Sequence, residues 1–337
     1  MLVALACQGG KVGDTSPVVE TSAPGTTPED TAPFTETEDT EPTGETEETE
    51  DTEETEDTEE TGETGETGDT EPPPPTESPD YRLPGSYPVA DADGSVEVGS
   101  CEMSYVSYTP IGAPDAPWVV LSHGFQRSSE NVAELAAHVS SWGVTVVTPQ
   151  LCHATIFDAD HEQNGVDLVA LAAALGAPPG TLYVGHSAGG LASLVAAGRD
   201  AAAGAGLGLD PVDTDDIGLD AAPSLGVPYD ALLGEPSFCN SDRNGLDLAF
   251  AVASHRVFAV TEADHCDFEA PTDWLCELGC WGTNDAFSDD EIRATIAGMT
   301  TSWSMWRSGL DPAGAQWWTS GETWHDALVA AGAIAPK

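Results

Sequence analysis

Positive charge is what this chain lacks most. Nine lysines and arginines stand against 59 acids in 337 residues, a formal charge of −50 at pH 7. A surface so short of cations has little with which to hold phosphates, so nucleic acid and anionic membrane surfaces are excluded as electrostatic partners. Also missing is any apolar run of the roughly 20 residues needed to cross a bilayer. Tandem C-x-x-C pairs are absent, so Cys276 and Cys280, even with Cys266 or His265, do not make a standard zinc spacing, and no metal is expected. One further absence is local: from Thr35 to Asp80 there is no aliphatic or aromatic side chain.

That last absence divides the chain. Residues 11–80 form one low-complexity segment, built from Thr35 onward only of Thr, Glu, Asp, Gly, Pro and Ser, and the first 80 residues hold 25 of the 59 acids. Such a segment cannot bury enough surface to offset its ordering entropy, and its charge keeps it extended, so it is expected to be a disordered tether. Fully stretched at about 3.3 Å per residue, its apolar-free part would span roughly 150 Å. Residues 1–10 resemble the end of a bacterial lipoprotein signal, with small Ala6 before Cys7 as the lipid-attachment residue. Ala4 stands where leucine is usual, and no basic segment precedes it, so Cys7 as an incidental residue of a leader remains open. The expected destination is outside the cytoplasm, anchored to a membrane through Cys7 or secreted.

Residues 81–337 have globular composition and suffice for one substantial core. The six cysteines there, Cys101, Cys152, Cys239, Cys266, Cys276 and Cys280, allow three disulfides in an exported protein, with fifteen connectivities. The pair Cys276 and Cys280 is expected to staple the loop after His265.

Alternation over Val96–Tyr108 predicts early antiparallel strands. Trp118–Leu121 is a continuous apolar run, as in a strand covered on both faces. Helices are predicted at Asn131–Trp142 and Val166–Leu175, with further strands at Val144–Val147, Thr181–Val184, Leu207–Leu209, Val227–Leu233 and Arg256–Val260. Alternating strands and helices imply an α/β fold with a mostly parallel central sheet and helices on both faces.

The stretch Gly185-His186-Ser187-Ala188-Gly189-Gly190 lies between a predicted strand and an Ala/Leu-rich helix. A serine at such a sharp turn needs small neighbours two positions away, which Gly185 and Gly189 supply as a nucleophile elbow. A serine hydroxyl needs an imidazole to take its proton and a carboxylate to orient that imidazole. Ligands of open parallel sheets bind beyond the carboxyl ends of the strands, and three residues obey that rule in the order nucleophile, acid, histidine: Ser187, Asp210 and His265. Glu235, after the following strand, is the competing acid. His186 is expected to point into the sheet, His123 to belong to the oxyanion loop, and His255 to precede its strand. The amides of Phe125 and Ala188 are the candidate oxyanion donors, the second at a helix N-terminus. Asp213, Asp215 and Asp216 fit no standard calcium loop and are expected to form a solvated acidic turn.

These residues resemble an α/β-hydrolase of the chlorophyllase-like group, related to polyester hydrolases and platelet-activating-factor acetylhydrolases. The resemblance covers about Tyr87 to Phe268 and rests on Trp118–Phe125, His138–Leu151, Gly185–Gly190, Leu207–Asp213 and Asp264–Asp267. It implies the hydrolase fold, the triad Ser187, His265 and Asp210, and the acid after the sixth strand, favouring Asp210 over Glu235. Plant chlorophyllases generally have Arg after the nucleophile; here it is Ala188, so a chlorophyll substrate is not implied.

The expected activity is hydrolysis of carboxylic esters, small or lipid-like, through an acyl-enzyme, by a monomer with no cofactor. A lipase, thioesterase or acyltransferase of the same fold stays open, as does a surface protein that binds a ligand without turnover. After Phe268 the chain matches nothing in that group. Most of its tryptophans, Trp274, Trp281, Trp303, Trp306, Trp317, Trp318 and Trp324, are expected in the core, several carried by or near a helix at Asp289–Trp306.

Overall fold

The computed structural model of the protein describes residues 78–280 and 282–337. The signal-like stretch 1–10 with Cys7, the acidic segment as far as residue 77, and Trp281 lie outside the described residues. Within them a nine-stranded sheet runs through the middle of a mixed α/β structure.

The chain enters through a long hairpin, β1 (Val89–Val98) and β2 (Cys101–Pro110), then passes through β3 (Trp118–Ser122), α1 (Ala133–Ser140) and β4 (Thr145–Pro149). A small hairpin, β5 (Ala154–Thr155) and β6 (Asp158–Ala159), precedes α2 (His161–Leu175). Next come β7 (Leu182–His186), α3 (Ala188–Arg199), β8 (Ala205–Leu209), α4 (Ile217–Ala221), β9 (Tyr229–Leu233), α5 (Gly245–Ala251) and β10 (Val257–Val260). The last elements are α6 (Trp274–Gly279), α7 (Asp289–Arg307), α8 (Thr323–Ala330) and β11 (Ile334–Pro336).

The strand order is β1-β2-β4-β3-β7-β8-β9-β10-β11. From β4 to β10 all neighbours are parallel, while β1, β2 and β11 join antiparallel at the two edges. The parallel strands are almost wholly buried because both their faces are covered, and most of their side chains are apolar. Val119, Leu121 and Val184 point to the layer that holds Leu135 and Val139 of α1 and Ile296, Met299 and Trp303 of α7. Their neighbours Val120 and Tyr183 point the other way, onto Leu168 of α2 and Ala192 and Ala196 of α3.

Helix α2 begins five residues before the predicted start, capped by the Asp160 carboxylate, which accepts the Gln163 amide at 2.9 Å. β11 follows α8 and pairs with β10, so the strand before His265 is not the last one. Packing begins at least at Ser78, which is buried and whose carbonyl accepts the Trp324 indole at 2.8 Å. Trp303, Trp317 and Trp318 are core residues, whereas Trp274 is exposed.

Candidate active site

The sharpest backbone feature of the sheet lies between β7 and α3. Ser187 has φ +56° and ψ −124°, a left-handed conformation that costs a non-glycine residue on the order of 1–3 kcal/mol. Strand and helix meet there without room for side chains: a Cβ on Gly185 would lie 2.1 Å from the Gly189 carbonyl oxygen, and one on Gly189 would lie 2.4 Å from that of His123. The turn is tied to the next strand, the Ser187 amide donating to the Leu209 carbonyl at 3.0 Å.

Asp210 follows β8, also with positive φ, and is fully buried. One carboxylate oxygen accepts the Gly234 amide at 2.9 Å; the other accepts the Asn240 side-chain amide at 3.0 Å and faces His265 Nδ1 at 2.7 Å. His265 opens a short 3-10 turn after β10, fixed by Asp264, whose carboxylate accepts the amides of Cys266 and Asp267. Its Nε2 lies 2.9 Å from Ser187 Oγ. With Nδ1–H donating to Asp210, Nε2 presents a lone pair to the serine hydroxyl, the tautomer that general-base chemistry requires. Serine and imidazole are 5% and 7% exposed, near the surface but mostly shielded from water.

Phe125 and Ala188 are both buried residues, and the N–H of neither donates to any described residue. The loop carrying Phe125 runs directly against Ser187: a Cβ on Gly124 would stand 3.1 Å from that of Ser187. The Phe125 ring itself packs edge-on against His161, with ring centroids 5.6 Å apart.

The other candidates fall outside this relay. Glu235 pairs with Arg243 at the surface, and His255 bonds the Val252 carbonyl. His123 is buried in the loop that carries Phe125, its Nδ1 donating to the Gly124 carbonyl and its Nε2 accepting the Leu151 amide. Burial pushes its pKa down to about 4, so it is neutral. Asp213 corrects the expectation of a solvated turn: it is buried, and its carboxylate accepts the amides of Thr214, Gly218 and Leu219 at the start of α4.

Several residues that complete the site have no signature in the sequence. Asn240 is one, held by the Glu235 carbonyl at 2.8 Å as it donates to Asp210. His186 is another. Expected to point into the sheet, it instead meets His265: its Nε2 lies 2.9 Å from the His265 carbonyl oxygen, and the two rings lie 4.5 Å apart. Burial, with His265 alongside, holds its pKa well below the usual histidine value. The third is a covered ion pair, Glu269 with Arg127, in which Arg127 also reaches Asp273 at 3.1 Å. It joins the loop after β3 to the segment after His265. Burial raises the Glu269 pKa against the pull of Arg127.

The six cysteines stand in three pairs at disulfide distance: Cys101 with Cys152, Cys239 with Cys280, and Cys266 with Cys276. Cys276 and Cys280 thus fasten the loop after His265 through separate partners. The sulfurs of Cys266, Cys276 and Cys280 converge within 4.8 Å, yet each is already paired, which leaves no thiolate to bind zinc.

No family model matches the chain, and no curated protein matches it. What the fold and the site define is a class: a mixed α/β protein whose parallel strands deliver a serine, a histidine and an aspartate to one point beyond their carboxyl ends. The order along the chain is serine, aspartate, histidine, each residue following a different strand of one sheet.

Proposed function

We propose that this chain is a serine hydrolase of the α/β-hydrolase fold, similar to the chlorophyllase-like group, that cleaves carboxylic esters through an acyl-enzyme. The observation that carries the reading is the relay of hydrogen bonds from Asp210 through His265 to Ser187.

Ser187 Oγ attacks the ester carbonyl carbon as its proton passes to His265 Nε2. Asp210 holds the imidazole and stabilises the imidazolium. Negative charge gathers on the former carbonyl oxygen, where the amides of Phe125 and Ala188 would contribute some 3 kcal/mol each. Collapse breaks the bond to the alcohol, which leaves with the proton from His265. Water then attacks the acyl group, again losing a proton to His265, and Ser187 regains its hydrogen as the acid departs.

The paired cysteines support an oxidising compartment, and with the lipoprotein-like Cys7 they favour an exported protein, anchored or secreted, that works as a monomer without a cofactor. Turnover of p-nitrophenyl esters from acetate to palmitate tests the activity. The expected result is hydrolysis by the wild type and a loss of about 10⁴-fold or more in Ser187→Ala. Equal rates in the two would overturn the reading.

A further inference from the structure

Four of the large apolar side chains exposed on this domain stand beyond the carboxyl ends of the parallel strands. Ile156 and Phe157 form the tip of the β5–β6 hairpin, and Phe157 is 93% exposed. Phe238 lies in the loop after β9, 60% exposed, and Trp274 opens α6, 72% exposed.

Each ring sits within three residues of a group bonded to the catalytic machinery. Ala154, at the base of the hairpin, accepts the amide of Gln126, next to Phe125, at 2.7 Å. Asn240, two residues beyond Phe238, holds Asp210. Asp273, just before Trp274, pairs with Arg127. The paired cysteines stiffen the same ground, Cys239 beside Phe238 meeting Cys280 and Cys276 in α6 meeting Cys266. These rings therefore ride on braced loops bonded to residues of the site, where an aromatic side chain in water gains nothing unless something covers it.

Charge selects the occupant. The exposed ionic groups flanking the rings are carboxylates, among them Asp158, Asp160, Asp242 and Asp273. The two arginines nearby, Arg127 and Arg243, are each ion-paired and only 12% and 11% exposed. A phosphate-bearing or anionic surface would meet carboxylates there and be repelled, whereas an uncharged apolar phase would not.

We propose that this rim docks the domain on an aggregated, electrically neutral ester phase of the acylglycerol kind, from whose surface substrate enters the Ser187 site. The proposal rests on the ester-hydrolase reading above and names its substrate class.

The test uses the full chain as Ser187→Ala, which leaves the phase intact, in flotation against a triolein emulsion and against phosphatidylglycerol vesicles. The protein is expected to float with triolein and not with the anionic vesicles. Phe157→Ser, Phe238→Ser and Trp274→Ser are each expected to lower partitioning by about tenfold. With Ser187 restored, the three variants should keep wild-type turnover of dissolved p-nitrophenyl acetate while losing activity on emulsified tributyrin.

A protein that stays in the aqueous phase, three single variants that all partition as the parent does, or equal capture by anionic vesicles would overturn the docking. So would variants that lose both activities together, because the rings would then belong to the site itself. Absence of soluble-ester turnover in the wild type would instead overturn the hydrolase reading, so the two failures are distinguishable.

Discussion

Asn240→Ala removes one donor from a buried carboxylate. Asp210 has three polar partners: the Gly234 amide, His265 Nδ1 and the Asn240 side chain at 3.0 Å. Taking away a hydrogen bond to a charged buried group costs about 1.5–3 kcal/mol. The Asn240 oxygen also accepts the amides of Ser237 and Arg243, nearer to solvent, which adds roughly 1 kcal/mol in total. The expected loss of unfolding free energy is therefore about 2.5–4 kcal/mol, read by urea denaturation at pH 7.5. In activity, an Asp210 free to turn away from His265 should lower kcat/KM for a soluble ester by ten- to a hundredfold.

A double-mutant cycle with Asp210→Asn separates this account from a merely loosened loop. Without the carboxylate charge, Asn240→Ala should cost only about 1 kcal/mol, leaving a coupling of at least about 1 kcal/mol. Additive losses would refute the argument that Asn240 acts through Asp210.

Other expectations are equally concrete. Gly189→Ala places a methyl group 2.4 Å from the His123 carbonyl oxygen and should cost about 2 kcal/mol or more with most of the esterase activity, measured by thermal unfolding and p-nitrophenyl acetate turnover. His123, whose folded pKa is about 4, binds its proton more readily in the unfolded chain, so its stability contribution is complete above pH 6.5 and is lost as pH falls toward 4. That loss amounts to roughly 3 kcal/mol, and His123→Asn should flatten the wild-type slope by about as much over that window; identical slopes would contradict it. Asp267 acts in the opposite sense, burial and the neighbouring Asp264 charge raising its carboxyl to about 7, which is why the comparison is made against a His123 variant. Replacing both Cys239 and Cys280 by serine opens a bridge that spans 41 residues and should cost up to about 4 kcal/mol, seen as a lower denaturation midpoint in oxidising buffer.

Much of the fold was legible because strands covered on both faces are written as unbroken apolar runs, as in Trp118–Leu121 and Leu207–Leu209. The start of α2 was hidden since its first turn, His161-Glu162-Gln163-Asn164, is polar and gives no periodic signal. β11 has only Ile334, Ala335 and Pro336, too short to register beside the helix before it. In the site, the serine, acid and histidine could be placed because each follows a strand, a rule of position more than of composition. Asn240, Glu269 and Asp213 could not. A buried carboxylate or amide in a loop looks like a solvated one, above all in a chain with 59 acids, and only the fold shows that their partners come from distant segments. The cysteine pairing was beyond reach for the same reason.

The central claim is that Ser187 is an activated nucleophile. The most direct measurement is the mass of the protein, and of its Ser187→Ala variant, after treatment with a fluorophosphonate. The account predicts one adduct on the wild type, located by peptide mapping at Ser187, and none on the variant. A folded wild-type protein with its cysteines paired that takes up no adduct, or one labelled equally in both forms, would contradict it.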